Sequence, residues 1–369
     1  MKKIIDVPLP QKCRIIAVSD IHQSGDLIIK LLDKCNYNPN TDFLFILGDV
    51  LERGDDGFKA LRTVIKLCEK ERAYCLMGNN DTLFYRMTYT YTHEQFLEYM
   101  KNKPNNAFVQ AAGMLGITDL SESNIENARK AVKDNFKAEL DFLGELPTAM
   151  STQDFIFVHA GLDERADWQE TKETDMLCKW RYLECRNLTD KWVIVGHFPT
   201  YGFEASKNTP MPIIDFDKKI IDIDGGIGVK EFGQLNALII KKDGDRIAFE
   251  TQFADNYKTA AVKDDFFSGD KYIFAHPYYY NYSFADEDDD FTTIHIETTG
   301  ETGKLLNELV YKRDDGSPQC WYNLNILANA AKGDVVSVCA EYEKYSLILD
   351  KNREVKVIEN KYLKKAKEI

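Results

Sequence analysis

The chain has 369 residues, of which 44% are hydrophobic and 29% are charged, a balance typical of a globular protein large enough for more than one domain. Its formal net charge of −13 disfavours a binding surface for nucleic acid or for an anionic membrane. No apolar run reaches the roughly 18 residues of a membrane span, so we expect a cytoplasmic protein that is neither exported nor membrane-spanning. The eight cysteines form no CxxC pair, which predicts mostly buried, free thiols in a reducing compartment.

Strands alternate with helices at the start of the chain. The apolar runs 14–18, 43–47 and 73–77 are typical of strands buried on both faces. Between them, residues 27–35 and 58–68 place apolar side chains at helical spacing on one face. This alternation predicts right-handed crossovers and a largely parallel start to a sheet.

Residues 82–150 have a helical pattern and contain no strand that the sequence supports. The clearest helix is predicted over residues 123–143, where Ser123 and Glu126 have the spacing of a capping box. Gly144 and Pro147 are expected to end this helix. We interpret residues 82–150 as a helical insertion that covers one side of the site described below.

The strand pattern resumes after the insertion. Strands are predicted at 154–158, 191–195, 220–223 and 235–240, and an Asp243-Gly244 turn leads the last of them into 246–251. The composition changes after about residue 255, and 291–297 and 335–342 have the pattern of strands. We therefore predict a first domain over residues 1–255 and a small β-rich C-terminal appendage, of unknown role, over residues 256–369.

Polar side chains follow five of the buried runs directly. They are Asp20 and His22, Asp49, Asn79, His159, and His197. We expect these six side chains to meet at one edge of a sheet. Carboxylate, imidazole and amide oxygen without thiolate suit Mn²⁺, Fe²⁺ or Zn²⁺, and the set is large enough for two ions bridged by one carboxylate at about 3.5–4 Å.

These residues carry a family resemblance. The motifs, in chain order, are Asp20-Ile21-His22, Gly48-Asp49-(x)3-Arg53-Gly54, Gly78-Asn79-Asn80-Asp81, His159-Ala160-Gly161 and Gly196-His197-Phe198-Pro199. Together they resemble the ordered motifs of the calcineurin-like metallophosphoesterases. They are most similar to the phosphoprotein phosphatase (serine/threonine phosphatase) branch, in its bacterial type. The resemblance covers residues 14 to about 240 and implies an α/β fold, a mixed β-sandwich flanked by helices.

The resemblance implies a role for each matching residue. It makes Asp20, His22 and Asp49 the ligands of a first metal ion. The second ion would be held by Asp49, as the bridging carboxylate, with Asn79, His159 and His197. Phe198 and Pro199 follow His197, so the further histidine of other branches is absent, as in the phosphoprotein phosphatase branch.

Two arginines are the implied substrate contacts. Arg53 matches the phosphate-binding arginine of the branch, and its guanidinium suits a bidentate contact with phosphate oxygens. Arg181, after Trp180, resembles the second arginine of bacterial relatives.

The implied activity is that of a metal-dependent phosphatase. Two cations, expected to be manganese, iron or zinc, would lower the pKa of a shared water toward ~7, and the resulting hydroxide would attack phosphorus in line. The expected substrates are phosphate monoesters, of the phosphoserine or phosphothreonine type in a protein or in a small ester. No nucleic-acid or membrane partner is expected, and the sequence leaves the oligomeric state open.

Three residues depart from the pattern of the branch. Gln23 stands where a glycine usually follows the Asp-x-His pair, Glu52 replaces an aspartate, and Asn80 replaces a histidine. The last two occupy the positions of the catalytic acid pair, and Asn80 is also an expected substrate contact. Because asparagine cannot release a proton near neutral pH, poor leaving groups such as alkyl alcohols should depart slowly. Aryl esters or anhydrides need the acid less.

Three alternatives remain open. Symmetric dinucleoside polyphosphate hydrolases share these motifs, so the chain could hydrolyse a nucleotide anhydride instead of a monoester. A metallophosphoesterase scaffold used only for binding would explain Asn80, although loss of catalysis rarely spares every ligand. Polar strand ends brought together by coincidence in an unrelated α/β domain are the third alternative. Turnover of a dinucleoside polyphosphate against a phosphopeptide separates the first alternative from the monoesterase.

Overall fold

The computed structural model describes residues 3–54, 56–313 and 316–364, with the backbone alone at 286 and 287. It divides the chain into two compact units. The first unit comprises Met1–Pro199 and Met211–Asp255, and the second comprises Thr200–Pro210 and Asn256–Ile369. Each unit is built on its own sheets.

The α-helices of the described residues all belong to the first unit. They are α1 (Gly25–Lys34), α2 (Gly57–Cys68), α3 (Asp81–Tyr89), α4 (His93–Asn102), α5 (Ala107–Met114), α6 (Ile125–Asn135), α7 (Lys137–Glu145) and α8 (Glu173–Cys178). None of them is both long enough and apolar enough to cross a membrane.

The strands of the first unit are β1 (Ile4–Asp6), β2 (Lys12–Val18), β3 (Phe43–Ile46), β4 (Ala73–Cys75), β5 (Ala149–Ser151), β6 (Phe155–Val158), β7 (Trp192–Val195), β8 (Ile213–Asp215), β9 (Ile220–Asp222), β10 (Leu235–Asp243) and β11 (Arg246–Ala254). The strands of the second unit are β12 (Lys258–Val262), β13 (Phe266–Phe267), β14 (Tyr282–Glu287), β15 (Phe291–Ile296), β16 (Thr302–Leu306), β17 (Val310–Lys312), β18 (Pro318–Cys320), β19 (Asn329–Ala330), β20 (Val335–Glu341), β21 (Tyr345–Leu349), β22 (Val355–Glu359) and β23 (Leu363–Lys364).

The first unit contains two mixed sheets. One has the strand order β11-β10-β2-β3-β4, and the other has the order β1-β5-β6-β7-β9-β8. Strands β2, β3 and β4 are parallel, as predicted for the start of the sheet, and β10 joins β2 antiparallel. The predicted hairpin is confirmed, because β10 and β11 pair from Asp243 and Arg246 outward. The fold is thus the metallophosphoesterase α/β sandwich that the resemblance implied.

The two sheets share an apolar core. The rings of Phe45 on β3 and Phe157 on β6 stack with centroids 4.0 Å apart. The expectation that the five polar strand ends lie at one edge of one sheet is therefore wrong, since β2, β3 and β4 belong to one sheet and β6 and β7 to the other. These strands are buried on both faces, so their sequences carry no alternation that would assign them to a sheet.

The helical insertion differs from its prediction in three respects. The helix predicted over 123–143 is two helices, α6 and α7, with a break at Phe136 (φ −116°, ψ 29°). Its apolar spacing hides the break, because Phe136 stays in the core with its ring centroid 4.6 Å from that of Phe58. The predicted capping box does not form: Asn124 precedes α6, and the Glu126 carboxylate pairs with His93 and Arg129 instead. Strand β5, which the sequence did not predict, closes the insertion.

The second unit is rich in strands, which confirms the predicted β-rich appendage. Its largest sheet has the order β22-β21-β20-β12-β23, and a three-stranded sheet has the order β14-β15-β16. The strands predicted at 291–297 and 335–342 are present as β15 and β20. All eight cysteine thiols are free, but fewer are buried than predicted: only Cys35, Cys75 and Cys320.

Candidate metal centre

The polar residues at the carboxyl ends of five strands lie together. Two groups of side chains could each hold a cation, one formed by Asp20, His22 and Asp49 and the other by Asp49, His159 and His197. Within each group the potential ligand atoms all lie within 4.8 Å of one another. Asp49 belongs to both groups, so its two carboxylate oxygens can serve two neighbouring ions.

The first group has the spacing of ligands around one ion. The Nε2 atom of His22 lies 3.7 Å from Asp20 Oδ1 and 3.8 Å from Asp49 Oδ2. Ligand bonds to such ions are about 2.0–2.2 Å long, so two ligand atoms of one ion lie at most about 4.4 Å apart. Asp20 Oδ1 is buried and has no hydrogen-bond partner among the described residues. A buried carboxylate oxygen without a partner is costly, and a cation would satisfy it.

The second group gathers two imidazoles around an amide oxygen. Asn79 Oδ1 lies 2.9 Å from His159 Nε2 and 2.9 Å from His197 Nδ1. His159 Nε2 is also 3.5 Å from Asp49 Oδ1. The amide oxygen of Asn79 thus lies close enough to both imidazoles to be a fourth donor of this group, and its role as a ligand stays a prediction.

Backbone carbonyls orient the two buried imidazoles. His159 Nδ1 lies 2.8 Å from the Leu47 carbonyl oxygen, and His22 Nδ1 lies 3.3 Å from that of Leu51. Because a carbonyl oxygen only accepts, these contacts place the ring proton on Nδ1 and leave Nε2 facing the carboxylates. A metal-binding histidine is commonly held in this way.

Burial keeps two of the histidines in the form that binds a cation. Burial lowers the pKa of His22, and burial together with the nearby His159 lowers the pKa of His197 to about 4. Both imidazoles are therefore neutral at pH 7 and offer a lone pair to a metal ion.

Most of these residues have an unusual backbone conformation. Asp20 (φ 51°), His22 (φ 42°), Asp49 (φ 51°) and His197 (φ 72°) are all left-handed. Such conformations are costly for residues other than glycine and persist where surrounding contacts impose them, often at functional sites. Here His22 N donates to the Asp49 carbonyl oxygen at 2.9 Å, which ties the two loops that carry the first group.

Asp81 and Gly78 join the loops that follow β3 and β4. One oxygen of Asp81 accepts from the backbone N–H of Val50 at 2.9 Å and of Leu51 at 3.1 Å, and the other accepts from Gly78 N at 3.0 Å. A Cβ atom at Gly78 would lie 2.1 Å from Asp49 N, so no other residue permits this approach. The last residue of the Gly78–Asp81 motif thus supports the loop that carries Asp49.

Two more carboxylates lie near the centre, and the sequence analysis missed both. Asp222 and Asp224 are buried at the end of β9. Burial, together with the neighbouring Asp20, raises the pKa of Asp224 well above its ordinary value, and burial and Asp224 do the same for Asp222. In the sequence, Asp224-Gly225-Gly226 looks like any turn after a strand. This excess of buried acidic groups favours binding of cations.

Asn80 and Glu52 do not face each other as an acid pair. The backbone N–H and the side-chain amide of Asn80 both donate to Asp49: the N–H to Oδ1 at 2.8 Å and the amide to Oδ2 at 2.5 Å. The buried Glu52 carboxylate accepts from the backbone N–H of Ala107 at 2.9 Å and from the Tyr99 hydroxyl at 3.3 Å. Glu52 therefore contacts the helical insertion.

Arg53 is exposed, and its guanidinium donates no hydrogen bond to another residue that the structure describes. Its charge contributes to the lowered pKa values of both His22 and His197, so it lies within electrostatic reach of both ligand groups. Arg181 is half-buried and left-handed (φ 52°), and its guanidinium pairs with Glu184. The adjacent Trp180 places its ring centroid 5.0 Å from that of Phe198, which sets this segment beside His197.

Comparison with known families defines the class of the protein. The family model described as calcineurin-like phosphoesterase matches residues 13–225, more than half of the chain. The chain belongs to this family of metallophosphoesterases, whose members are hydrolases.

Several curated proteins and solved structures are similar to parts of the chain. The symmetrical bis(5'-nucleosyl)-tetraphosphatase of Buchnera aphidicola is 36% identical over 64 residues, which are 17% of this chain and 23% of that protein. The protein of the same name from Actinobacillus pleuropneumoniae is 24% identical over 196 residues, 52% of this chain and 57% of that protein. Both matches span less than two thirds of the relative's length.

Among solved structures, a protein serine/threonine phosphatase from Saccharomyces cerevisiae aligns with a TM-score of 0.40 and 12% identity, over 70% of this chain and 86% of that one.

Proposed function

We propose that the protein is a metal-dependent phosphoesterase that hydrolyses phosphate monoesters of the phosphoserine and phosphothreonine type. The observation that carries this proposal is the pair of ligand groups that share Asp49, one of them containing a buried oxygen of Asp20 that has no hydrogen-bond partner among the described residues. The donor set of carboxylates, imidazoles and one amide suits Mn²⁺, Fe²⁺ or Zn²⁺.

We assign the ligands to two sets. Asp20, His22 and Asp49 would hold one ion, and Asp49, Asn79, His159 and His197 the other. When bound, the two ions would neutralise charge on the phosphoryl group and lower the pKa of a water toward ~7, so that hydroxide is available at neutral pH. The Leu47 and Leu51 carbonyls would keep the ligand nitrogens of His159 and His22 in position.

The remaining side chains would act on the substrate and on Asp49. Arg53 is exposed and lies within electrostatic reach of both ligand groups, and its guanidinium would bind the phosphoryl oxygens and stabilise the charge that they carry in the transition state. Arg181 would contribute a second, more distant cation. Asn80 would hold the Asp49 carboxylate through its two hydrogen bonds and would contact the substrate phosphate from there.

A second candidate function is hydrolysis of a nucleotide anhydride. Asn80 stands at the position of the acid in the phosphoprotein phosphatase branch, has no proton to release near neutral pH, and its amide donates to Asp49. Glu52, the other acid-pair position, is engaged with the insertion. A phosphate leaving group departs without protonation, so an anhydride would be cleaved more easily than an alkyl ester. The names of the relatives found by comparison agree with this candidate.

The two candidates are separated by their substrates. The manganese-loaded protein is assayed with p-nitrophenyl phosphate, a phosphoserine peptide and a bis(5'-nucleosyl) tetraphosphate, with the chelator-treated protein as control. The proposed monoesterase cleaves the first two, and the second candidate cleaves the nucleotide with the highest kcat/KM. A metal-loaded protein that cleaves none of the three substrates contradicts both candidates. That result favours the alternative of a metallophosphoesterase scaffold that is used only for binding.

A further inference from the structure

The residues on either side of Arg53 are anchored to the helical insertion. Before it, the Glu52 carboxylate accepts from the first backbone N–H of α5, that of Ala107, at 2.9 Å and from the Tyr99 hydroxyl on α4 at 3.3 Å. After it, the Gly54 carbonyl oxygen accepts from the Gln110 side chain on α5 at 2.9 Å. Arg53 itself makes no hydrogen bond with the part of the chain that the structure describes, so the residues on either side of it determine where it lies.

This anchoring maintains a strained backbone. Glu52 and Arg53 are consecutive left-handed residues, each with φ 66°. Two such residues in a row are costly unless contacts on several sides impose the conformation. The opposite side of the loop is closed by Gly228 (φ 67°), where a Cβ atom would lie 2.9 Å from the Arg53 carbonyl oxygen. The loop is thus held between Gly228 and the insertion.

Gln110 also contacts the loop that carries His22. Its amide nitrogen donates to Gln23 Oε1 at 3.1 Å, while its oxygen accepts from the backbone N–H of Gly57 at 3.3 Å. Gln23 and Glu52 are two of the three departures from the phosphoprotein phosphatase pattern. Both contact the helical insertion, which gives these departures a common structural reason.

We propose that the helical insertion fixes the position of Arg53 through Glu52 and Gln110, which act as positioning residues for phosphate binding. The proposal rests on the function proposed above, in which Arg53 binds the phosphoryl group. A guanidinium stabilises a phosphoryl oxygen only when it is held in place, and a displacement of about 1 Å can reduce a rate by up to about 10²-fold. Without its two anchors, the exposed Arg53 would sample positions that do not reach the phosphate.

The test is a double-mutant cycle on the manganese-loaded full chain. Gln110→Ala should weaken binding of inorganic phosphate by about 10-fold, measured by calorimetry, and lower kcat/KM for p-nitrophenyl phosphate similarly. In an Arg53→Ala background the same change should have an effect of less than about twofold, because the residue that it positions is gone. Metal content should stay at the wild-type level in all variants.

Two further variants distinguish positioning from general stability. Gln95→Ala removes a capping glutamine of α4 that bonds only within the insertion at Thr92, and it should leave phosphate affinity unchanged. Glu52→Gln retains an oxygen that can accept from Ala107 N, so it should bind phosphate more tightly than Glu52→Ala. If Glu52→Ala fails to fold, the comparison of Gln110→Ala with Gln95→Ala still tests the positioning role.

The possible results separate this proposal from the proposed function. The positioning role is overturned if Gln110→Ala lowers phosphate affinity equally in the wild-type and the Arg53→Ala backgrounds. It is also overturned if Gln95→Ala lowers phosphate affinity as much as Gln110→Ala does. Unchanged phosphate affinity in Gln110→Ala overturns it as well. A wild type that binds phosphate and hydrolyses no ester refutes the proposed function, while the phosphate cycle still decides the positioning role. A metal-loaded wild type that binds no phosphate refutes both.

Discussion

Left-handed residues other than glycine occur in both units, but they are stabilised in different ways. In the second unit, Asn325 (φ 55°) accepts a hydrogen bond from Lys304 N at 2.8 Å, and the backbone N–H of Arg353 (φ 63°) donates to the Asp350 carbonyl at 2.9 Å. The Arg353 turn is closed by its own hydrogen bond, and Asn325 is held by its contact with Lys304, 21 residues away in the chain, so contacts within the second unit account for both conformations.

In the first unit, residues with the same left-handed conformation bring charged side chains close together. There, left-handed Asp20, His22 and Asp49 point buried carboxylates and an imidazole at one another, and Asp20 Oδ1 has no partner among the described residues. The comparison teaches that strain alone does not identify a functional site. Strain accompanied by an unsatisfied buried charge does, because the missing partner must come from outside the chain.

The largest predicted effect is that of Asp49→Asn. The variant loses the only carboxylate shared by both ligand groups, so we expect kcat/KM for p-nitrophenyl phosphate to fall by more than about 10³-fold. Bound manganese should fall with it, while circular dichroism stays that of the wild type. Metal analysis and the assay are made on the same sample, and full activity with both ions retained would refute the assignment of Asp49.

The matched control for Asp49→Asn lies in the second unit. Asp350 Oδ1 accepts from the backbone N–H groups of Asn352 and Glu354, each at 2.8 Å, within a turn. Asp350→Asn keeps an accepting oxygen and touches no ligand group. We expect unchanged activity and metal content, and an equal loss in both variants would show that the difference between the two units has no functional meaning.

The next largest effect is that of Arg53→Ala. Loss of one preorganised cation that binds the phosphoryl group should lower kcat/KM by roughly 10²–10³. Metal content should not change, because a guanidinium is not a ligand. Loss of ions from this variant would mean that Arg53 supports the ligand groups instead of the substrate.

Asn80→His should produce a gain in activity that depends on the leaving group. The wild type should cleave aryl phosphates much faster than phosphoserine peptides, since no acid protonates the leaving alkoxide. A histidine at this position should raise the rate on the peptide by up to about 10²-fold and leave aryl phosphates nearly unchanged.

Glu52→Asp, added to Asn80→His, tests the partner position. Because the Glu52 carboxylate contacts Ala107 and Tyr99 and does not face Asn80, we expect no further gain from this change; a rate that rises further only in the Asn80→His background would show that the shorter carboxylate orients the imidazole. The rate of hydrolysis is measured on each protein with a series of substrates whose leaving groups differ in pKa. A flat dependence in the wild type would show that another group supplies the proton.

The smallest effect is expected in the second unit. Asn325→Ala loses the bond to Lys304 N and places alanine in a left-handed conformation, so the free energy of unfolding should fall by about 1–2 kcal/mol. Asn325→Gly should cost less, because glycine adopts this conformation freely. Urea unfolding measures both, and phosphatase activity should remain that of the wild type. A loss of activity in the folded Asn325→Ala protein would contradict the view that this strain is purely structural.

Local sequence was enough to predict the early strands and the polar residues that follow them, and the structure brings Asp20, His22, Asp49, His159 and His197 together. An apolar run followed by Asp20 and His22, or by Asp49, identifies a strand end because both signals lie within a few residues. Membership of a sheet could not be predicted, since strands buried on both faces have no alternation. The break at Phe136 was hidden for a similar reason, because its apolar side chain continues the helical spacing.

Contacts distant in sequence were beyond prediction. Glu52 meets Ala107 across 55 residues and Gln23 meets Gln110 across 87, and neither partner carries a recognisable motif. The sequence around Asp224 does not indicate a site residue either, because an aspartate before two glycines is common in turns. The role of Glu52 therefore became visible only from the packing of the helical insertion against its loop.

The central claim is that two divalent ions share Asp49, and a titration of the metal-free protein with Mn²⁺ tests it most directly. Metal analysis counts the bound ions, and electron paramagnetic resonance reports whether they interact. The account predicts two ions per chain with an exchange-coupled spectrum, and loss of that coupling in Asp49→Asn. A single, isolated Mn²⁺ in the wild type, or a coupled pair that survives in Asp49→Asn, would contradict it.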